Sequence, residues 1–407
     1  MIKKCVKPGA LAVILLVVLA LVSAACGPGA AVKELVVYTW VGYDDATFWN
    51  HPDDPRAFYK IYDEEEVDVK YDFYHDVDAL YSHIYLDRDF AEVIEIYSAD
   101  LNLWYNTTDP LIEPLDLDLL PYWDDVLPGL KNWTNIWTDD DRLLLAPKYF
   151  GHTIIMYRHD LLTGAGINLT DSTEWPNPIE VLFSDNPALE GKICLYDSGD
   201  ESVPHLALAA GYTPEQIWTD NVTAFDAMAD DVKAEWEAAG ANFVSPWTLW
   251  EEAITKIATG EVWMINGWND MYLWSALELV AENATGEEVK EVLNYIPGQA
   301  MIGWYGGHAI RAGLDEDDTF LWEAAHALIN AHMSKPSSMY MLEEWAFGSA
   351  HKDAPAEAVP YADWYIEEFN FDDPATFYAP TAHLWGSTPA EIHEARSTLW
   401  SVLKGML

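Results

Sequence analysis

Positive charge is what this sequence has least of. It carries 21 Lys and Arg against 68 Asp and Glu, a formal net charge of −47. Such a surface repels phosphate backbones, so nucleic-acid binding, which needs basic groups on phosphates, is excluded. It draws cations towards the protein, although acidic surfaces are also common in extracellular and salt-adapted proteins. Cysteine is scarce as well: Cys5, Cys26 and Cys194 are the only three. No disulfide framework is available, so stability rests on burying an apolar core, for which a composition that is 50% apolar gives ample material for two lobes. Cys194, inside the apolar KICLY, reads as a buried inert thiol. Also missing are a G-x-S-x-G elbow, a P-loop, a G-x-G-x-x-G after a strand, C-x-x-C and H-E-x-x-H. His326 and His332 are six apart on one expected helix, which turns them to opposite faces and away from shared metal ligation. No metal, cofactor or catalytic residue is expected.

What is present begins with a targeting signal. Lys3, Lys4 and Lys7 form a basic start, and Ala10–Ala25 is an uncharged apolar run of signal-peptide length. Residues 1–25 are read as the signal and 26–32 as an anchor linker. The run ends at Ser-Ala-Ala-Cys, which resembles a bacterial lipobox with Cys26 as the lipidated residue, although Ser23 stands where an aliphatic is usual. Two other readings stay open: ordinary cleavage after Ser-Ala-Ala, or an uncleaved anchor. Each keeps the protein extracytoplasmic.

After the linker, short apolar runs alternate with helical stretches. ELVVYTW, VDVKYDFY, AEVIEIY, TIIMYR, GKICLYD, VWMING and GGHAIRA read as strands. Helices are expected in PRAFYKIYDEE, VTAFDAMADDVKAEWEAAG, SPWTLWEEAITKIATG, TFLWEAAHALINAHMS and STPAEIHEARSTLWSVL. In the last, Thr388 is the expected cap, Pro389 takes the first helical position and Glu391, at the third, completes a capping box, with Ile392, Ala395, Leu399, Val402 and Leu403 on the apolar face. Strands alternating with helices give an α/β fold. Twenty Trp and 22 Tyr supply more flat ring surface than a core needs, and such faces suit sugars or cations. The first strand ends in Trp40, Gly42 and Tyr43, large rings placed where α/β sheets bind ligands, beyond the carboxyl ends of strands.

The lipobox-like cysteine, the strand LVVYTWVGY, and the segments APKYFGHTIIMYRHDLL, LEGKICLYDSGDES, ATGEVWMINGWND and AAHALINAHMSKPSSMYMLEEWAFG, in that order, resemble an extracellular solute-binding protein of an ATP-binding cassette (ABC) importer. The spermidine/putrescine-binding branch is the most similar. The resemblance implies a two-lobed, periplasmic-binding-protein-like (type II) fold with a ligand cleft between the lobes. Lobe one would be 33–148 and 304–348, lobe two 149–303 and 349–407. It implies no enzyme activity, a small cationic solute such as a polyamine, a membrane permease as partner, a membrane tether through the lipid, and a monomer. Carried over, Trp40 and Tyr43 would clamp the ligand, Glu201 and Asp270 would hold its amines, Trp268 would stack on its chain, and Trp304 or Tyr305 would form a wall. Two positions depart from the branch: Gly42 stands where Glu is frequent, and Ser198 where Asp is. Fewer acids suit a solute with fewer amines, or a quaternary ammonium. A sugar ligand, or a secreted carbohydrate-active enzyme using a carboxylate pair, is the alternative. On those readings Asp270 could merely cap a helix and Glu201 be a surface acid.

Overall fold

Strand-forming residues cluster in eleven segments that join one mixed sheet in the computed structural model. These are β1 (Lys33–Trp40), β2 (Val67–Tyr74), β3 (Val93–Tyr97), β4 (Ile112–Glu113), β5 (Ala146–Arg158), β6 (Ile193–Cys194), β7 (Met264–Trp268), β8 (Leu293–Tyr295), β9 (Ile302–Arg311), β10 (Gly348–Ser349) and β11 (His383–Leu384). The structure describes residues 31–407 apart from 75–76, 99–100, 106–107, 133–135, 282, 359–361, 372, 374–382 and 385–388. The signal, Cys26 and Thr388 therefore lie outside the described residues.

The main path of the sheet runs β2-β1-β3-β9-β5-β7-β6. It is parallel at both ends, β1 with β2 and β3, and β6 with β7. In the middle it is antiparallel, because β9 opposes both β3 and β5, and β5 opposes β7. Every residue of β5 and of β9 is buried, as continuous apolar strands covered on both faces should be. The two pair from Ala146 opposite His308 to Thr153 opposite Ile302. Beyond Thr153, β5 continues alone into the second half of the sheet, where Thr153–Tyr157 pair with Trp268–Met264.

Helices cover the faces. The helix Thr319–His332 buries every residue from Ala324 onward and is capped by Asp318, whose carboxylate accepts from the Leu321 N–H at 3.2 Å. On the far half, Leu206 and Ala207 of helix Gly199–Ala209 share a core with Ile392, Leu399 and Leu403 of helix Ala390–Lys404. Val402 was expected in that apolar face but is 42% exposed, and Pro389 caps the helix instead of opening it.

Two further expectations shift. The stretch 55–65 yields only the helix Phe58–Ile61, because turns consume both flanks: Asp54 accepts from Arg56 N, and Val67 N bonds Asp63 O. The helix expected from 245 begins at Trp250, since residues 243–247 run extended beside β6, with Val244 N on Ile193 O and Trp247 N on Leu195 O. Gly42 is at φ +95°, the left-handed turn that its place between Trp40 and Tyr43 suggested.

The β5–β9 contact is close enough to forbid side chains at one point. A Cβ at Gly307 would lie 2.2 Å from the Ala146 carbonyl oxygen, beside the register shift at Pro147 and Tyr149. Gly307→Ala should therefore destabilise the fold by about 1–3 kcal/mol, the usual cost of overpacking. Urea denaturation with an unchanged midpoint would show that the strands yield there.

Candidate functional site

The ends of β1 and β7 bring aromatic rings from the two halves of the sheet together. Trp40, the last residue of β1, has its ring centroid 4.7 Å from Tyr74, 6.2 Å from Tyr97 and 6.4 Å from Trp268. Trp268, the last residue of β7, lies in turn 5.4 Å from Tyr196 and 5.8 Å from Trp247. These edge and tilted contacts are those that ring quadrupoles favour.

Two carboxylates stand beside this cluster in different conditions. Glu201, in the first turn of helix Gly199–Ala209, accepts from the Trp268 indole at 2.9 Å and from Thr153 Oγ1 at 3.1 Å. Thr153 Oγ1 itself accepts from the Trp304 indole at 3.1 Å, so Glu201 ties β7, β5 and β9 together. Asp270, in the first turn of helix Asn269–Leu279, is 4% exposed. One of its oxygens accepts from the Trp250 indole at 2.7 Å, while Oδ1 is buried with no hydrogen-bond partner among the described residues. Burial pushes the Asp270 carboxyl up to about 7, against the opposing pull of Trp250 and the helix N–H groups. Its neighbour Asn269 anchors the helix start, accepting from His152 N at 2.8 Å and donating to Tyr365 and the Ala346 carbonyl. Gly151 makes room for this: a Cβ there would meet Asn269 Oδ1 at 2.5 Å and the Trp304 ring at 2.6 Å.

Trp304 is buried behind the cluster, 5.7 Å from Tyr97 and 5.9 Å from Tyr149. Tyr305 is fully buried, and alternation along β9 sends it to the other face of the strand. Tyr43 is buried away from the Trp40 ring, against Trp345 at 4.7 Å and Tyr149 at 5.3 Å. A Cβ at Gly42 would lie 2.7 Å from the Trp345 ring, so a larger residue there meets both a steric and a backbone penalty.

Beneath Tyr43 is a buried ion pair that the sequence reading did not single out. Lys148 Nζ is 3.0 Å from Glu95 Oε2, and both side chains are within 2% of full burial. Glu95 also accepts from Thr39 Oγ1 at 2.7 Å and the Tyr149 hydroxyl at 2.8 Å. The Lys148 ammonium sits 4.2 Å from the Tyr43 ring centroid and 4.5 Å from that of Phe48. Burial raises the Glu95 carboxyl, but Lys148, His308 and Thr39 outweigh it and hold the group at about 2. Burial likewise lowers the Lys148 ammonium, with Glu95 opposing. The signal was legible in principle: Glu95 interrupts the apolar VIEIY and Lys148 the apolar APKYFG, and a charge inside a buried strand needs a partner. The histidines on helix Thr319–His332 are apart: His326 accepts from Asp116 N at 2.9 Å, and His332 stacks on His308. Among the described residues no cluster of three or more His, Cys, Asp or Glu could hold a metal.

A model of the bacterial extracellular solute-binding protein family matches residues 93–368. The chain belongs to that family. Comparison with curated protein sequences finds no match. Among solved structures, one similar to this chain is described as a putative spermidine/putrescine ABC transporter from Listeria monocytogenes. It has a TM-score of 0.64 at 17% identity, covering 92% of this chain and 100% of that one. The TpPotD lipoprotein of Treponema pallidum follows at 0.61 and 15%, covering 91% and 99%. Maltose-bound MalE3 of T. maritima matches at 0.55 and 14%, covering 92% and 100%. At these identities the likeness establishes the two-lobed, periplasmic-binding-protein-like α/β fold.

Removing one member of a buried ion pair strands the other, which typically costs about 3–5 kcal/mol. Lys148→Ala should lose that much in urea denaturation at neutral pH, and Glu95→Gln combined with Lys148→Ala should lose less than the single change. Because the folded Glu95 carboxyl is depressed below an unfolded value of about 4.3, its contribution is present above that value. It should disappear as pH falls from about 4.3 through about 2. A double variant as unstable as the single would mean that the pair is not what matters there.

Proposed function

We propose that the chain is an extracytoplasmic solute-binding protein that closes two lobes around a small organic cation and delivers it to the permease of an ABC importer. On this reading lobe one is 33–148 with 304–348, lobe two is 149–303 with 349–407, and Cys26 carries the lipid that tethers the protein to the membrane. The ligand meets Trp40 from lobe one and Trp268, Glu201 and Asp270 from lobe two, with Trp304 behind. Tyr43 bounds the site from below, and Tyr305 has only a supporting place in the strand.

One observation carries the cationic reading: Asp270 is a buried carboxyl with one oxygen that has no partner among the described residues, beside a cluster of indoles. Such a group is costly unless a cation or donor completes it, and a desolvated cation over an indole face gains about 2 kcal/mol. The resemblance of the sequence names a polyamine, spermidine or putrescine. The absence of acids at Gly42 and Ser198, together with the hydrogen bonds that already occupy Glu201, favours a single ammonium head, primary or quaternary. A neutral sugar would use the same indoles without needing Asp270.

Asp270→Asn keeps the shape and an acceptor for Trp250 but removes the charge. It should weaken binding of an organic cation on the order of thirtyfold, since losing one partner of a buried charged contact costs about 2–5 kcal/mol. Trp268→Ala should weaken cation and sugar alike. Calorimetry in which the Asn variant keeps its cation affinity removes the charge from the site, and loss of a sugar ligand through Trp268→Ala alone would favour the sugar reading. For the anchor, Cys26→Ser should move the protein from the membrane fraction to the soluble one, and retention at the normal level would point to an uncleaved helix.

A further inference from the structure

The buried Lys148 is a cation already in a cation site. Its ammonium is held by one carboxylate, Glu95 at 3.0 Å, and faces three rings, Tyr43 at 4.2 Å, Phe48 at 4.5 Å and Tyr149 at 5.8 Å. A carboxylate with several ring faces is the arrangement that recognises an alkylammonium. Two of those rings also border the proposed cleft. Tyr149 packs on Trp304 at 5.9 Å and on Tyr97 at 6.5 Å. Burial first, then Glu95 and, more weakly, Tyr97 and Asp270 raise the Tyr43 pKa. Glu95 accepts from Thr39, the residue before Trp40, and from Tyr149, which packs on Tyr97, while Asp270 lies two residues beyond Trp268; Tyr97 and Trp268 both contact Trp40, so the two buried carboxylates stand at the ends of one ring cluster. One is filled by the protein's own amine and the other has an oxygen without a partner among the described residues.

We infer that Lys148 is a specificity-determining residue: by occupying the cage of Glu95, Tyr43, Phe48 and Tyr149, it restricts the solute to one ammonium group, bound at Asp270. A diamine would find its second carboxylate taken. The inference rests on the cationic reading of the cleft and narrows it to monoamines and quaternary amines. The other groups around the ammonium do not offer a substitute. Thr39 and Tyr149 spend their hydroxyls on Glu95. His308, 3.4 Å from Glu95, is held below its ordinary value by burial and stacks on the buried His332.

The test is calorimetry of butylammonium and putrescine on the wild type, Lys148→Ala, and Lys148→Ala combined with Glu95→Gln. Wild type should bind butylammonium at least as tightly as putrescine. Lys148→Ala should shift the ratio towards putrescine by about tenfold or more, equal to about 1.4 kcal/mol, and putrescine should raise its melting temperature more than butylammonium does. The double variant, with the three rings kept but ammonium and carboxylate both gone, should return to the wild-type ratio. A folded Lys148→Ala with an unchanged ratio overturns the inference while leaving the cationic reading intact. If neither amine binds wild type or variant, both fall. Should Lys148→Ala fail to fold, the wild type still decides: putrescine bound tenfold more tightly than butylammonium contradicts an occupied second site.

Discussion

The pairing of β5 with β9 is the constraint on which the rest of the molecule depends. These are the only long strands buried along their whole length among the described residues, and β5 takes part in both halves of the sheet. Its first half fixes Lys148 and Tyr149 against Glu95 of β3. Its second half fixes Thr153, which reaches Trp304 on one side and Glu201 on the other. Close approach is possible because Gly151 and Gly307 leave the space that a side chain would fill. On the proposed function, a motion that closed one lobe on the other would have to pass through these strands, which would make the proposed ligand residues and the hinge neighbours.

Electrostatics then separates two acids that the sequence alone would treat alike. Glu95 is neutralised inside the protein by Lys148 and its hydrogen bonds, which keep its carboxyl ionised despite burial. Asp270 has the Trp250 indole and, among the described residues, no hydrogen-bond partner on Oδ1, so the same burial drives it towards protonation against the pull of Trp250 and the helix N–H groups. The overall excess of acids helps gather cations from a distance, but screening limits that field to about 8–10 Å at physiological salt. On the proposed function, selection among cations would therefore be left to the short-range groups: the Asp270 carboxyl and the rings packed beside it.

Much of this was legible in the sequence because strand patterning is local. VDVKYDFY is β2 residue for residue, and LVVYTW ends β1 at Trp40, whose ring meets Trp268 from the other half of the sheet. Trp268 and Asp270 stand out in the sequence because the first closes a strand and the second lies in the first turn of the helix that follows it. What escaped depends on partners distant in the chain. Tyr43 reads as a ligand residue from its place after Trp40, but that its ring also faces Lys148, more than a hundred residues away, is not legible locally. Tyr196 and Trp247 come together through a bridge beside β6 that made the sequence look helical from 245. Trp304 and Tyr305 could not be told apart until the register of β9 fixed which face each one takes.

The central claim is that a cation completes Asp270, and proton linkage tests it most directly. Burial holds this carboxyl near 7 in the unliganded protein, so below that value it carries a proton that a bound ammonium must expel. Butylammonium titrations in buffers of differing ionisation enthalpy should show release approaching one proton per ligand at about pH 6, and close to none at about pH 8.5. Binding that releases no proton at either pH would contradict the account, because the cation would then be held somewhere other than at Asp270.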